Sequence, residues 1–208
     1  VAYQVAVVMN IIIIAINASY SPWVYQKIKT QNVRLIGRTT LAIIVAFSAV
    51  CFLFSLLAPE MIYILGGEQY YSAIWIVPPV AMSIVFNVIY SLISNIAFYY
   101  EKRQLVMFGT IISAAFNIIL NAIFIPVCGF VAAGYTTLIC YIIYSIVHYI
   151  FMIRVCNEKE IEIPYNTVAI WIVASASVVF SVLSSFLYTY STLRYCFIIA
   201  GLFLCSLV

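Results

Sequence analysis

Charge-free apolar runs recur along this chain, and they confine it to one kind of solvent. Thr39 to Pro59, Gln104 to Ile153 and Val168 to Tyr190 hold no Asp, Glu, Lys or Arg. A hydrocarbon core ~30 Å thick is crossed by roughly 20 apolar residues at 1.5 Å rise each. Amides inside lipid find no water, so such runs must be helices that satisfy their own backbone. The pattern predicts an all-α, polytopic membrane helix bundle. Composition agrees, since 67% of the 208 residues are hydrophobic and 7% charged, against about 25% charged in soluble domains. Val1 and Val208 both fall within apolar runs, so residues 1–208 are read as a transmembrane fragment of a longer protein.

Polar breaks divide the chain into about seven expected spans, 2–19, 39–58, 73–98, 104–125, 130–153, 168–188 and 195–208. Their connections alternate in positive charge. The first carries Lys27, Lys29, Arg34 and Arg38, the third Lys102 and Arg103, and the fifth Arg154 and Lys159. The second and fourth carry none, and the sixth only Arg194. Eight of the nine cations therefore share one side, which the positive-inside rule makes cytoplasmic. Pro22 and Pro164 are expected in cytoplasmic connections, with Pro59 and Pro126 closing spans on the outer side. Pro78 and Pro79 fall inside the third span, where they either kink it or occupy the first turn of a helix that starts later.

No catalytic or metal chemistry is spelled out. The six cysteines have no paired spacing, which argues against a zinc site or a disulfide framework. GxSxG, Walker and HExxH motifs are absent from the sequence, so no catalytic residue, metal or cofactor is expected. The net charge of +3 follows membrane topology and gives no reason to expect nucleic acid.

Function must then reside in polar residues on apolar helices. At 100° per residue, Ser83, Asn87, Ser91, Ser94 and Asn95 share one stripe. Thr110, Ser113, Asn117 and Asn121 form a second, and Gly134, Thr137, Tyr141, Tyr144, Ser145 and His148 a third. Tyr3, Asn10 and Asn17 repeat every seven residues in the first span. Such stripes serve either as hydrogen-bonded packing between membrane helices or as the wall of a hydrated path. A primary amide facing lipid is costly, so four asparagines tilt the balance towards a path. Its candidates are Asn87, Ser91, Asn95, Thr110, Asn117, Asn121, Tyr141 and His148, whose neutral donors and acceptors suit sugar hydroxyls. A structural role fits His148 better, because it lies about a turn from the cytoplasmic edge. There is no Asp, and every Glu lies in or beside a connection, so the carboxylate of a cation-coupled carrier is not in these spans.

Several segments also resemble a known family. Asn17-Ala18-Ser19-Tyr20-Ser21-Pro22-Trp23-Val24-Tyr25-Gln26-Lys27 is similar to the span end of bacterial polysaccharide flippases. Leu65-Gly66-Gly67-Glu68-Gln69-Tyr70 followed by Ala73 resembles their external turn, with Pro78-Pro79 where they often have proline. Tyr99-Tyr100-Glu101-Lys102-Arg103 resembles their short cytoplasmic link. Asn117-Ile118-Ile119-Leu120-Asn121, then Ile125-Pro126-Val127-Cys128-Gly129 and Ala132-Ala133-Gly134-Tyr135-Thr136-Thr137, resemble their most patterned stretch. The resemblance covers roughly Asn17 to Tyr149 and is to the multidrug/oligosaccharidyl-lipid/polysaccharide exporter superfamily.

It implies the second lobe of a two-lobed transporter in the bacterial cytoplasmic (inner) membrane. Such a protein flips undecaprenyl-diphosphate-linked oligosaccharide repeat units for O-antigen, capsule or exopolysaccharide by alternating access. The implied partners are that lipid-linked substrate, the bilayer, an N-terminal lobe of the same chain and a polysaccharide polymerase. Lys27, Lys29, Arg34 and Arg38 become candidates for lipid headgroups, although topology alone accounts for them. A multidrug or other cation-coupled exporter of the same superfamily is the alternative. A polytopic glycosyltransferase or polymerase is a third reading, which the short connections disfavour.

Overall fold

The computed structural model describes the backbone of residues 2–206 and the side chains of residues 4 and 6–199. The described residues form nine α-helices and no strand. These are α1 (Ala2–Lys29), α2 (Val33–Leu56), α3 (Ala58–Gly66), α4 (Val77–Ile93), α5 (Asn95–Tyr99), α6 (Arg103–Cys128), α7 (Ala132–Glu158), α8 (Thr167–Phe186) and α9 (Ser191–Ser206). A 3-10 segment, Glu68–Ile76, leads into α4, and a second, Leu187–Thr189, links α8 to α9. The fold is an all-α helical bundle.

Six helical stretches are long and apolar enough to cross a bilayer, making this a multi-pass membrane protein. The seventh expected segment forms α9, whose 16 residues extend about 24 Å at 1.5 Å each, short of a ~30 Å core. Residues 207 and 208 of that expected segment lie outside the described ones.

The spans differ from expectation mostly at the basic end. α1 continues to Lys29 with Pro22 inside it, and α2 begins at Val33. The first connection is therefore three residues, and its cations ride on helix ends. Polar residues end an apolar run without ending a helix, because the headgroup zone solvates side chains while the backbone stays helical. Pro126 likewise lies inside α6, two residues before its end. Pro78 and Pro79 occupy the first turn of α4, where a missing N–H is no loss, so the later-starting helix is the correct one of the two readings.

The three tight turns at the basic end share one device. Gln31, Glu101 and Glu160 adopt left-handed φ values of 55°, 58° and 53°. The next residue's N–H returns in each case, Asn32 to the Lys27 carbonyl (3.0 Å), Lys102 to Ala97 (2.8 Å) and Ile161 to Cys156 (3.0 Å). This is the Schellman closure, here built on residues other than the customary glycine.

α4 is the centre of the bundle. The stretch from Glu68 to Tyr99 is 83% buried in its most apolar window, against 6% for α6. It packs on α7, α2, α1 and α8 through Met82, Val85, Ile89 and Leu92. α6 rests chiefly on α7 and leaves its outer face, with Ile118 and Ile119, uncovered. Tyr165, between α7 and α8, folds back so that its hydroxyl donates to the Leu92 carbonyl at 3.2 Å. Burial pushes its phenol well above its ordinary pKa.

Charge separates along the bundle axis. At one end Lys102 pairs with Glu158, Lys159 lies 5.9 Å from the Tyr100 ring, and Tyr25 meets Tyr99 at 5.4 Å. At the other, Arg194 pairs with Glu60 and Trp75 meets Tyr188 at 5.6 Å. Reporter fusions are expected to read the two ends as opposite sides. Alkaline phosphatase should be active only at Glu68 and Gly129, and green fluorescent protein should fluoresce only at Lys27 and Lys102. Phosphatase activity at Lys102 would contradict the orientation.

Candidate functional site

Two pockets lie where the polar stripes face one another. The larger, about 500 Å³, opens between α6 and α7 and is lined by Thr110, Ser113, Asn117, Thr137, Tyr141 and Tyr144 among others. The smaller, about 180 Å³, lies among α1, α4 and α7 and includes Asn10, Ser83 and Asn87. Thr137 and Tyr141 line both, so one face of α7 serves both pockets. The spacing explains the alignment. Thr110, Ser113 and Asn117 recur at i, i+3 and i+7 on α6, as Thr137, Tyr141 and Tyr144 do at i, i+4 and i+7 on α7.

The asparagines bind helices together as well as lining space. Asn87 donates to Asn10 Oδ1 at 2.6 Å, fastening α4 to α1. Deeper along the same seam, Asn17 donates to Ser91 Oγ at 3.1 Å and Asn95 donates to Asn17 Oδ1 at 3.3 Å. On the other flank Thr136 donates to Asn121 Oδ1, and Asn121 donates to Asn117 Oδ1 at 3.0 Å. Thr110 and Tyr144 share a hydroxyl–hydroxyl bond of 3.0 Å. Each satisfies a group that lipid would leave unpaired, and all but the Asn121–Asn117 bond, which lies within α6, join two helices, a known form of cohesion in membranes.

The sequence candidates divide accordingly. Asn87, Thr110, Asn117 and Tyr141 line a pocket. Ser91 and Asn121 lie in the bonded seams beside one. Asn95 and His148, 3% and 2% exposed, line neither pocket. His148 is enclosed by Tyr90 and Tyr144, with ring centroids at 4.4 and 4.6 Å, and its Nε2 has no hydrogen-bond partner. The side chain of Tyr3 lies outside the described residues. Lys27, Lys29, Arg34 and Arg38 gather at the basic end, Lys27 lying 5.9 Å from the Trp23 ring.

Among the described residues no charged side chain lines either pocket. Their walls offer amides, aliphatic hydroxyls and phenols, which donate and accept without carrying charge. Among the described residues no group of three His, Cys, Asp or Glu could hold a metal. The Glu60–Arg194 pair was not singled out from sequence, although Arg194 as the lone cation of its side was a signal for a fixed partner.

No known protein family, curated protein or solved structure matches the chain.

Proposed function

We propose that this chain forms one lobe of a transporter that flips diphosphate-linked oligosaccharide repeat units across the bacterial cytoplasmic membrane for surface polysaccharide assembly. The observation that carries this reading is the pair of uncharged, amide- and hydroxyl-lined pockets between membrane helices. Sugar hydroxyls both donate and accept, so they can exchange bonds with Asn87, Asn117 and Thr110 without ever meeting a buried charge. The resemblance of residues 17–149 to polysaccharide flippases supports the same reading. Alternating access follows when the pocket faces of α6, α7 and α1 open in turn to the two sides, against a second lobe of the same chain. A polysaccharide polymerase would then receive the repeat unit on the outer face.

The test is genetic and chemical. Deleting the gene should abolish surface polysaccharide while complete, lipid-linked single repeat units accumulate in the cell. Asn117→Leu with Thr110→Val, both on the wall of the larger pocket, should give a weaker form of that defect with the protein still folded. Each net hydrogen bond is worth about 0.5–1.5 kcal/mol, so loss of two should slow export by about five- to a hundred-fold. Shortened lipid-linked glycans would favour a glycosyltransferase, and intact surface polysaccharide with new drug sensitivity would favour a multidrug exporter.

A further inference from the structure

His148 is the one histidine of the sequence, and its surroundings do not supply the partner that a purely structural role requires. It is 2% exposed on α7, and its Nε2 is buried with no hydrogen-bond partner. Buried polar atoms are nearly always bonded, so such an orphan needs a reason beyond packing. Tyr90 of α4 and Tyr144 of α7 face the ring with centroids at 4.4 and 4.6 Å, and Phe151 lies at 6.2 Å. On the remaining side is Gly109 of α6, where a Cβ would lie 2.6 Å from Nε2. No ionised group stands beside the ring. Tyr90 is the only titratable side chain of α4, and Tyr99, the only one of α5, packs on Tyr25 and Tyr100 instead. The one charged residue of α6 is Arg103, six residues before Gly109, and the nearest charge on α7 is Arg154, six residues beyond His148.

The same ring is tied to the larger pocket. Tyr144 lines that pocket and shares its hydroxyl bond with Thr110, the residue after Gly109. Gly109 lies about 9 Å from the basic end of α6, at six residues of 1.5 Å rise. α6 is the least buried of the six spans and rests chiefly on α7. Its position therefore depends on this face, and the missing Cβ at Gly109 lets it settle directly on the imidazole.

We propose that His148 is a proton-binding site that sets how closely α6 sits on α7, and thereby whether water reaches the larger pocket from the basic end. The neutral ring fills the space against Gly109. Protonated at Nε2, it carries a charge surrounded only by ring faces and backbone, and cation–π contact offsets only part of the cost of burying a charge. Parting α6 from α7 lets water solvate that N–H and breaks the Thr110–Tyr144 bond on the pocket wall. The assignment rests on the transport reading above in taking this pocket as the substrate's place. Within it His148 is a positioning residue, acting through Tyr144 and Gly109. A hydrated imidazole titrates at about 6.5. Only the parted state takes up the proton, so the ratio of parted to packed molecules rises as pH falls through that value, by about ten-fold between pH 8 and pH 5.5.

The test uses the full-length protein in phosphatidylcholine nanodiscs, with native cysteines replaced and spin labels at Met107 on α6 and Leu35 on α2, both exposed. Label-to-label distances should show a longer component whose ratio to the packed one grows about ten-fold from pH 8 to pH 5.5. A single label at Asn117, on the pocket wall, should collide more often with a water-soluble nickel chelate over the same range. His148→Phe keeps a ring against Gly109 but takes no proton, and it should abolish both changes. His148→Gln decides in its place if the phenylalanine variant does not insert. Glu158→Gln removes the carboxylate that joins α7 to Lys102 at the start of α6, and it should leave both changes intact. No pH response with His148 present, the same response in its neutral variants, or loss of the response in Glu158→Gln would overturn the assignment. No substrate enters this measurement, so its failure leaves the transport reading standing. An intact response in a protein that moves no lipid-linked glycan would remove the transport reading and leave the proton site.

Discussion

Gly37→Ala is expected to destabilise the protein by about 1–3 kcal/mol, the usual cost of overpacking a filled site. A Cβ at this position would lie 2.2 Å from the Pro164 carbonyl oxygen and 3.3 Å from its carbon. Both are backbone atoms, so no rotamer change can clear them. The contact joins the first turns of α2 to the α7–α8 connection, which Tyr165 anchors beneath α4. Gly109→Ala provides the comparison. Its Cβ would meet His148 Nε2 at 2.6 Å, a side-chain atom that can move at the expense of its ring contacts. Thermal unfolding in detergent should rank Gly37→Ala below Gly109→Ala, and both below wild type. An unchanged midpoint for Gly37→Ala would contradict the close approach of α2 to Pro164.

Glu60→Leu is expected to cost about 3–5 kcal/mol, because it strands a buried cation. The Arg194 side chain is 5% exposed and that of Glu60 28%. Arg194 Nε and Nη1 have no hydrogen-bond partner, which leaves the carboxylate as the compensation for that charge. Tyr195 donates to the same Glu60 oxygen at 2.7 Å. Arg194→Leu should cost less, since the stranded Glu60 is more exposed to water, and the double variant should recover most of the loss. Lys102→Ala gives the contrast. Its partner Glu158 is 45% exposed, and exposed pairs are worth about 0–1 kcal/mol. A Glu60→Leu variant as stable as Lys102→Ala would contradict the buried pair.

Much of the architecture could be read directly because bilayer physics leaves few options. Length and apolarity alone predict an all-α bundle, and six described helical stretches are long and apolar enough to cross a bilayer. Helix ends were read less well. Lys27, Lys29, Arg34 and Arg38 looked like a loop, yet all four lie within helices joined by residues 30–32. A polar side chain ends an apolar pattern, whereas only a backbone signal ends a helix. That signal was hidden here, since Gln31, Glu101 and Glu160 take left-handed conformations without being glycine.

The polar stripes were visible as periodicity, but their partners were not. Nothing local pairs Asn10 with Asn87 or Asn121 with Thr136. Those pairings depend on which helices are neighbours, and the packing of α4 at the centre decides that. The same fact explains why asparagines read as either cohesion or path turned out to be bonded across seams, with Asn87 and Asn117 lining pockets as well. Arg194 showed only its isolation in the sequence, because Glu60 lies more than a hundred residues earlier.

In the proposed function the neutral pockets carry a lipid-linked glycan across the bilayer. Reconstituting the full-length protein into vesicles tests it most directly, using a labelled lipid-linked repeat unit confined at first to the inner leaflet. A membrane-impermeant glycosidase outside then reports each molecule that crosses. Cleavage should rise well above the rate in protein-free vesicles, and Asn117→Leu with Thr110→Val should slow it by about five- to a hundred-fold. Cleavage at the protein-free rate, in sealed vesicles holding folded protein, would contradict it.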